Sequence, residues 1–455
     1  MAGDGFTTRL KTALVGDAGA RFVYLNNFEV ERAWARGEPR LPGTGLSFAL
    51  ATVNRMEEVG VLLSEEVDAV VLKAPVDPGY AAYLESLGLA TGTRLVVDHS
   101  EPDRCVTADA LASPRLLADL AALADGRTYL LPLGVSTDEE RLAEVVGIPL
   151  ATPSAAICKR VNGKIFSREL VDAAGLTPVP GAVCRTLDEL AAALDTHLTG
   201  GNRVVVKESL GVSGRGMVVL DSPRRGERLL RMLARRGGTG AVSVVVERWL
   251  DKQADLNYQF ILGRDGQVRF ETVKAALTAN GVHRGHLFPP PLRPDQVTQL
   301  EDAAQVIGKA LAGEGYFGLV GVDAILAADG TLHPCLEINA RFNMATYQNR
   351  VAERFVTAGR YALATAVELR PGRAHGFDEV RRALGGLLYQ PGHATRETGA
   401  PGVLINNFAT LNAALLAGRE PYGRVYAICI GDDVDDVQRL SAAAESALQR
   451  MVAQP

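Results

Sequence analysis

Between residues 21 and 134, four short apolar runs alternate with helical patterns, which leaves few folds open to this part of the chain. The runs are RFVYLNNF (21–28), DAVVLKA (68–74), RLVVDH (94–99) and RTYLLPLG (127–134). Helical patterns fall between them, as at 80–87 and 113–124. Strand-length runs separated by helices predict a parallel, Rossmann-like α/β sheet over residues 1–150. No GxGxxG joins a first strand to a first helix, so a dinucleotide site is not expected there.

With 455 residues the chain exceeds one ordinary core. Its pattern changes near residue 150. Helices at 163–174 and 187–198 precede a strand at 203–208, a glycine-rich turn, a strand at 217–220, a helix at 226–236 and a strand at 241–249. Beyond 254 the pattern is β-rich. One hairpin turns at Arg264-Asp265-Gly266, a helix spans 294–313, and a second hairpin turns at Ala328-Asp329-Gly330. The expected division is 1–150, then 151–370, then a C-terminal extension at 371–455. The middle part splits into a flap subdomain of about 163–250 and a core of about 251–370.

The net charge of -5 gives no global positive field for nucleic acid. No apolar run reaches membrane-span length and residues 1–19 lack an apolar signal region, so a cytoplasmic location without membrane contact is expected. Five cysteines, an odd number without CxxC, argue against structural zinc and a disulfide framework. Lysine occurs only eight times, so a lysine beside a phosphate motif stands out.

GVSGRGM (211–217) is such a motif. Glycines let backbone N–H groups approach phosphate closely. No GK[ST] follows, and a strand rather than a helix comes next, so neither a P-loop nor a dinucleotide fingerprint fits. Strand, glycine turn, strand is the geometry of a flap over a nucleotide; an ordinary hairpin is the competing reading. Lys207 projects from the strand feeding the loop, Arg215 lies within it, and Lys164 opens the preceding helix. Downstream, Glu247-Arg248-Trp249-Leu250 leaves a strand, where backbone groups and an apolar wall can receive a flat base.

The second hairpin carries the strongest chemical signal. Glu337 and Asn339, two apart on one strand, share a face. A three-residue loop at 328–330 places 323 opposite 335, so that Asp323 lies diagonally beside Glu337 on that face. A two-residue loop would send Glu337 to the other face. Asp, Glu and Asn offer hard oxygen ligands suited to Mg2+ bound partly through phosphates. Arg341 continues the alternation.

Taken in order, these pieces resemble the ATP-grasp superfamily of carboxylate–amine ligases over roughly residues 150–350. The resemblance implies that ATP is held by Lys164, Lys207, the flap (Gly211, Ser213, Gly214, Arg215, Gly216), the hinge (Glu247, Arg248, Trp249, Leu250) and Asp255 near the ribose. It implies Mg2+ on Asp323, Glu337 and Asn339, and Arg341 at the acyl phosphate. Many dipeptide-forming members carry Arg two residues before the metal Asp, where this chain has Gly321; Arg341, Arg284 and Lys274 are the candidates for that charge. His283 and His286 are candidates for a general base by reach alone.

The N-terminal region resembles the pre-ATP-grasp domain. With YLNNFEVER, LFPPPL and EINARFNMATY, the whole is similar to the pheganomycin-type peptide ligases. That likeness implies activation of a nonproteinogenic amino-acid carboxylate as an acyl phosphate. The donor is then joined to a peptide amine, with release of ADP and phosphate, in peptide natural-product biosynthesis. Loading of an amino acid onto a carrier protein, and nonenzymatic ATP sensing, are the alternatives. A homodimer is expected.

Overall fold

A computed structural model describes residues 5–42, 50–211, 216–235, 241–279, 282–390 and 400–454. Three sheets organise them.

The first is parallel, ordered β3-β2-β1-β4, from β1 (Arg21–Leu25), β2 (Ala69–Leu72), β3 (Thr93–Val96) and β4 (Thr128–Pro132). Its central strands β1 and β2 are apolar from Phe22 to Leu25 and from Ala69 to Leu72 because both faces are covered. Phe22, Tyr24, Val70 and Leu72 enter the main core. Val23, Leu25, Ala69 and Val71 enter a second core on the other face. Local signals set the helix that follows: Ser136 and Glu139 form a capping box at Thr137–Val146, and Gly147 ends it with φ 68°.

The second sheet, β5-β8-β6-β7, is antiparallel: β5 (Gly181–Thr186), β6 (Val204–Glu208), β7 (Met217–Leu220) and β8 (Ala241–Arg248). Helices Leu187–His197 and Pro223–Ala234 cover one face, closing a core with Val204, Val206, Val244 and Val246. Lys207 and Glu247, of opposite parity, project from the other face.

The third sheet has eight strands, ordered β13-β12-β9-β10-β11-β14-β16-β15. They are β9 (Lys252–Leu262), β10 (Val268–Ala279), β11 (Val282–Phe288), β12 (Gly318–Ala327), β13 (Leu332–Asn339), β14 (Tyr361–Leu369), β15 (Gly402–Asn407) and β16 (Gly423–Gly431). On β9, Leu256, Tyr258, Phe260 and Leu262 enter the core, while Asp255, Asn257 and Gln259 alternate with them. The extension at 371–455 supplies β15 and β16, so it is continuous with this sheet. Among the described residues no helix is long and apolar enough to cross a membrane.

Candidate active site

The β12–β13 hairpin keeps its three-residue turn: Ile325 faces His333 and Leu326 faces Leu332. Above that the register shifts. Three residues of β13 oppose one of β12, because Pro334 has no N–H for the ladder; its carbonyl instead accepts from the Tyr258 hydroxyl at 2.9 Å. The shift changes the expected geometry. Asp323 stands directly opposite Glu337, not diagonal to it. Glu337 and Asn339 share the expected face.

The row continues through the sheet. Asp323 pairs with Asn257 on β9, and Asn257 pairs with Lys274 on β10. Asn257 donates to Asp323 Oδ1 at 2.7 Å, and Asn339 donates to Oδ2 at 3.1 Å. Burial, then the charge of Glu337, pushes the Asp323 carboxyl up to about 6. Lys164 Nζ meets Glu337 Oε1 at 2.7 Å and the Gly211 carbonyl at 3.0 Å. Lys207 meets Glu247 Oε2 at 2.6 Å. Burial alone would lower the Lys207 ammonium, but Glu247, with Glu337 and Asp323 beyond it, holds it above its ordinary value.

No group of three His, Cys, Asp or Glu side chains able to hold a metal occurs among the described residues. The set here is two carboxylates and one amide oxygen. Like charges forced together, with Lys164 already neutralising one, fit a divalent cation that draws its other oxygens from phosphates.

The structure redirects several expected residues. Glu247 holds Lys207, and lies 3.8 Å from Arg168, so its side chain is committed to these two cations. The backbone N–H of Trp249 donates to the Arg203 carbonyl, and Trp249 and Leu250 are half-buried at the strand exit, beside Arg248. Asp255 is engaged by Lys252 and Thr278. Ser213, Gly214 and Arg215 lie outside the described residues.

Arg341 reaches Asn339 Oδ1 at 3.0 Å, and is held by Glu31 of the N-terminal domain at 2.6 Å. Arg284 is not part of the row: it is the bulged residue of β11, exposed and paired with Glu368 at 3.3 Å. Lys274 is fully buried. Its Nζ donates to Ala345 O, Asn349 Oδ1 and Gln348 Oε1 rather than toward the carboxylates. His286 contacts Gln348 at 3.1 Å, within the same buried network.

Sequence reading missed the amide ladder behind the carboxylates. Gln259 donates to Asn343 Oδ1 at 2.7 Å and accepts from Asn349 at 2.9 Å. Polar residues every second position in DLNYQF were the available signal. Gly321 is now explained: a Cβ there would meet Asn343 Nδ2 at 2.4 Å. Asn343, arriving from another segment, fills the space beside Gly321.

Residues 56–148 match the family described as Pre ATP-grasp domain. Among solved structures, an N5-carboxyaminoimidazole ribonucleotide synthetase, purK, in its ADP complex has TM-score 0.51 at 13% identity, covering 96% of this chain and 98% of that one. A biotin carboxylase of Campylobacter jejuni has TM-score 0.55 at 13% identity, covering 96% and 95%. This is the ATP-grasp fold, entered through a pre-ATP-grasp domain.

Curated relatives match this chain in part. The butirosin acyl-carrier protein–L-glutamate ligase of Niallia circulans is 28% identical over 199 residues, 44% of this chain and 47% of the relative. A formate-dependent phosphoribosylglycinamide formyltransferase of Mycobacteroides abscessus is 27% identical over 191 residues, 41% and 48%. The chain spans about half the length of these relatives.

Proposed function

We propose that this ATP-grasp chain is an ATP-dependent carboxylate–amine ligase that forms ADP. The observation that carries the reading is the facing pair Asp323 and Glu337, with Lys164 on one carboxylate and Lys207 nearby. A carboxylate does not react with an amine at neutral pH because oxide is a poor leaving group. Phosphorylation by ATP gives an acyl phosphate, from which phosphate leaves. In this reading Lys164 and Lys207 exchange their carboxylate partners for phosphate oxygens. Asp323, Glu337 and Asn339 would hold Mg2+, which neutralises charge between the phosphates. Arg341, steadied by Glu31, would stabilise the acyl phosphate. The chain divides into the pre-ATP-grasp domain at 1–150, the ATP-grasp domain at 151–370 and the extension at 371–455.

The donor is an amino-acid carboxylate and the acceptor the amino terminus of a peptide, in natural-product assembly. The placement of YLNNFEVER supports this: Asn26 accepts from Tyr347, Phe28 packs on the Tyr347 ring, and Glu31 holds Arg341. The segment that carries the likeness to peptide ligases thus borders the site. A carrier-protein acceptor is the second reading, favoured by the relative named for an acyl-carrier protein.

The test is incubation with Mg-ATP, a panel of amino-acid carboxylates, and either a peptide or a carrier protein. ADP, phosphate and a new amide or acyl-carrier mass support the reading. AMP and pyrophosphate contradict it. ATP binding without turnover across the panel favours a sensor.

A further inference from the structure

From Pro223 to Arg235 the chain carries five arginines against one acid, Glu227, within a protein of net charge -5. All five are exposed. Gly226 and Leu229 form the buried side of the helix, with Gly226 against Leu194 and Leu198. Arg224, Arg228, Arg231 and Arg235 follow at steps of four, three and four, which sets them in one stripe along the outer face. Arg225 pairs with Asp221 and Arg231 with Glu227. Arg224, Arg228 and Arg235 have no ion-pair partner among the described residues. Like charges at these spacings repel, so helix stability does not account for the stripe.

Topology fixes where it lies. β7 and β8 both run antiparallel to β6, so they run the same way. The helix between them therefore runs back, and its last turn returns to the end of the sheet where Lys207 pairs with Met217. Arg231 and Arg235 are thus at the Lys207 end of the sheet, on the outer face. β7 is the edge strand, so nothing in this sheet lies beyond it.

We infer that the arginine stripe docks an acidic helix of a carrier protein, whose flexible arm passes round the β7 edge to the site. The inference rests on the carrier form of the proposed ligase. Complementary charge at such a rim speeds association and fixes register. A second copy of this chain, presenting Asp432, Asp433, Asp435 and Asp436 at the start of its helix Val434–Ala453, is the rival occupant.

The experiment combines Arg224→Glu, Arg228→Glu and Arg235→Glu, three side chains outside the ATP site. The probe is a labelled, phosphopantetheinylated acyl-carrier protein, titrated at low and high salt. The wild type binds it with affinity that falls as salt rises, and the variant binds about tenfold or more weakly. Melting temperature and ATP binding are the same in both proteins. Absence of binding by the wild type at low salt, or equal binding by both, overturns the inference. A salt-sensitive dimer of the wild type that the variant loses, without carrier binding, overturns it in favour of the second copy. Carboxylate-dependent ADP release with hydroxylamine as acceptor needs no docking. Its failure would strike the ligase reading, while its survival beside lost carrier binding concerns the stripe alone.

Discussion

Asp323 and Glu337 face each other across β12 and β13, and the same row continues through Asn257 to Lys274. Two carboxylates, an amide and a lysine thus span four strands on one face. The carboxylate end is met by Lys164. The lysine end is fully satisfied by Ala345, Gln348 and Asn349. A chemical end and a structural end therefore share one row.

The Asp323 carboxyl, pushed up to about 6 by burial and then by Glu337, makes stability depend on pH. The unfolded carboxyl titrates near 3.9. Between the two values the folded chain holds a proton that the unfolded chain has lost. This contribution is complete at low pH and is lost as pH rises through 6. Asp323→Asn is expected to raise the melting temperature of the metal-free protein at pH 7.5. The gap should close as pH falls to 4, and activity should be lost throughout.

Gly321→Ala places a Cβ 2.4 Å from Asn343 Nδ2. The amide must leave its position between Gln259 and Asn257. The expected cost is about 1–3 kcal/mol of stability, with a lower kcat. Denaturant titration and steady-state kinetics check both.

Lys274 and Arg284, equal candidates in the sequence, should separate. Lys274→Ala orphans buried acceptors and is expected to cost about 1–3 kcal/mol or more and to lower kcat. Arg284→Ala removes an exposed bulge residue and should stay within about 0.5 kcal/mol, with activity unchanged.

Glu31→Ala leaves Arg341 without its carboxylate, in a pair only 12% and 10% exposed. A loss of about 3 kcal/mol is expected. Glu31→Gln should cost less, because the amide oxygen still accepts. Chemical denaturation of both variants provides the comparison.

The parallel sheet, the two hairpins and the shared face of Glu337 and Asn339 were legible because local period and turn chemistry decide them. The direct facing of Asp323 and Glu337 was not, because it depends on how the ladder is rebuilt around Pro334. Arg341 could be placed beside Asn339, but its tie to Glu31 joins residues 310 positions apart and follows from domain packing. Lys274 and Arg284 both looked available as charges. Burial sends one into the 345–349 turn, and a bulge sends the other to the surface.

The most direct measurement is trapping with hydroxylamine in the presence of Mg-ATP and donor carboxylates, with nucleotide products separated, for the wild type and Glu337→Ala. The account predicts a hydroxamate with equimolar ADP from the wild type and neither from the variant. AMP with pyrophosphate from the wild type, or undiminished hydroxamate from Glu337→Ala, would contradict it.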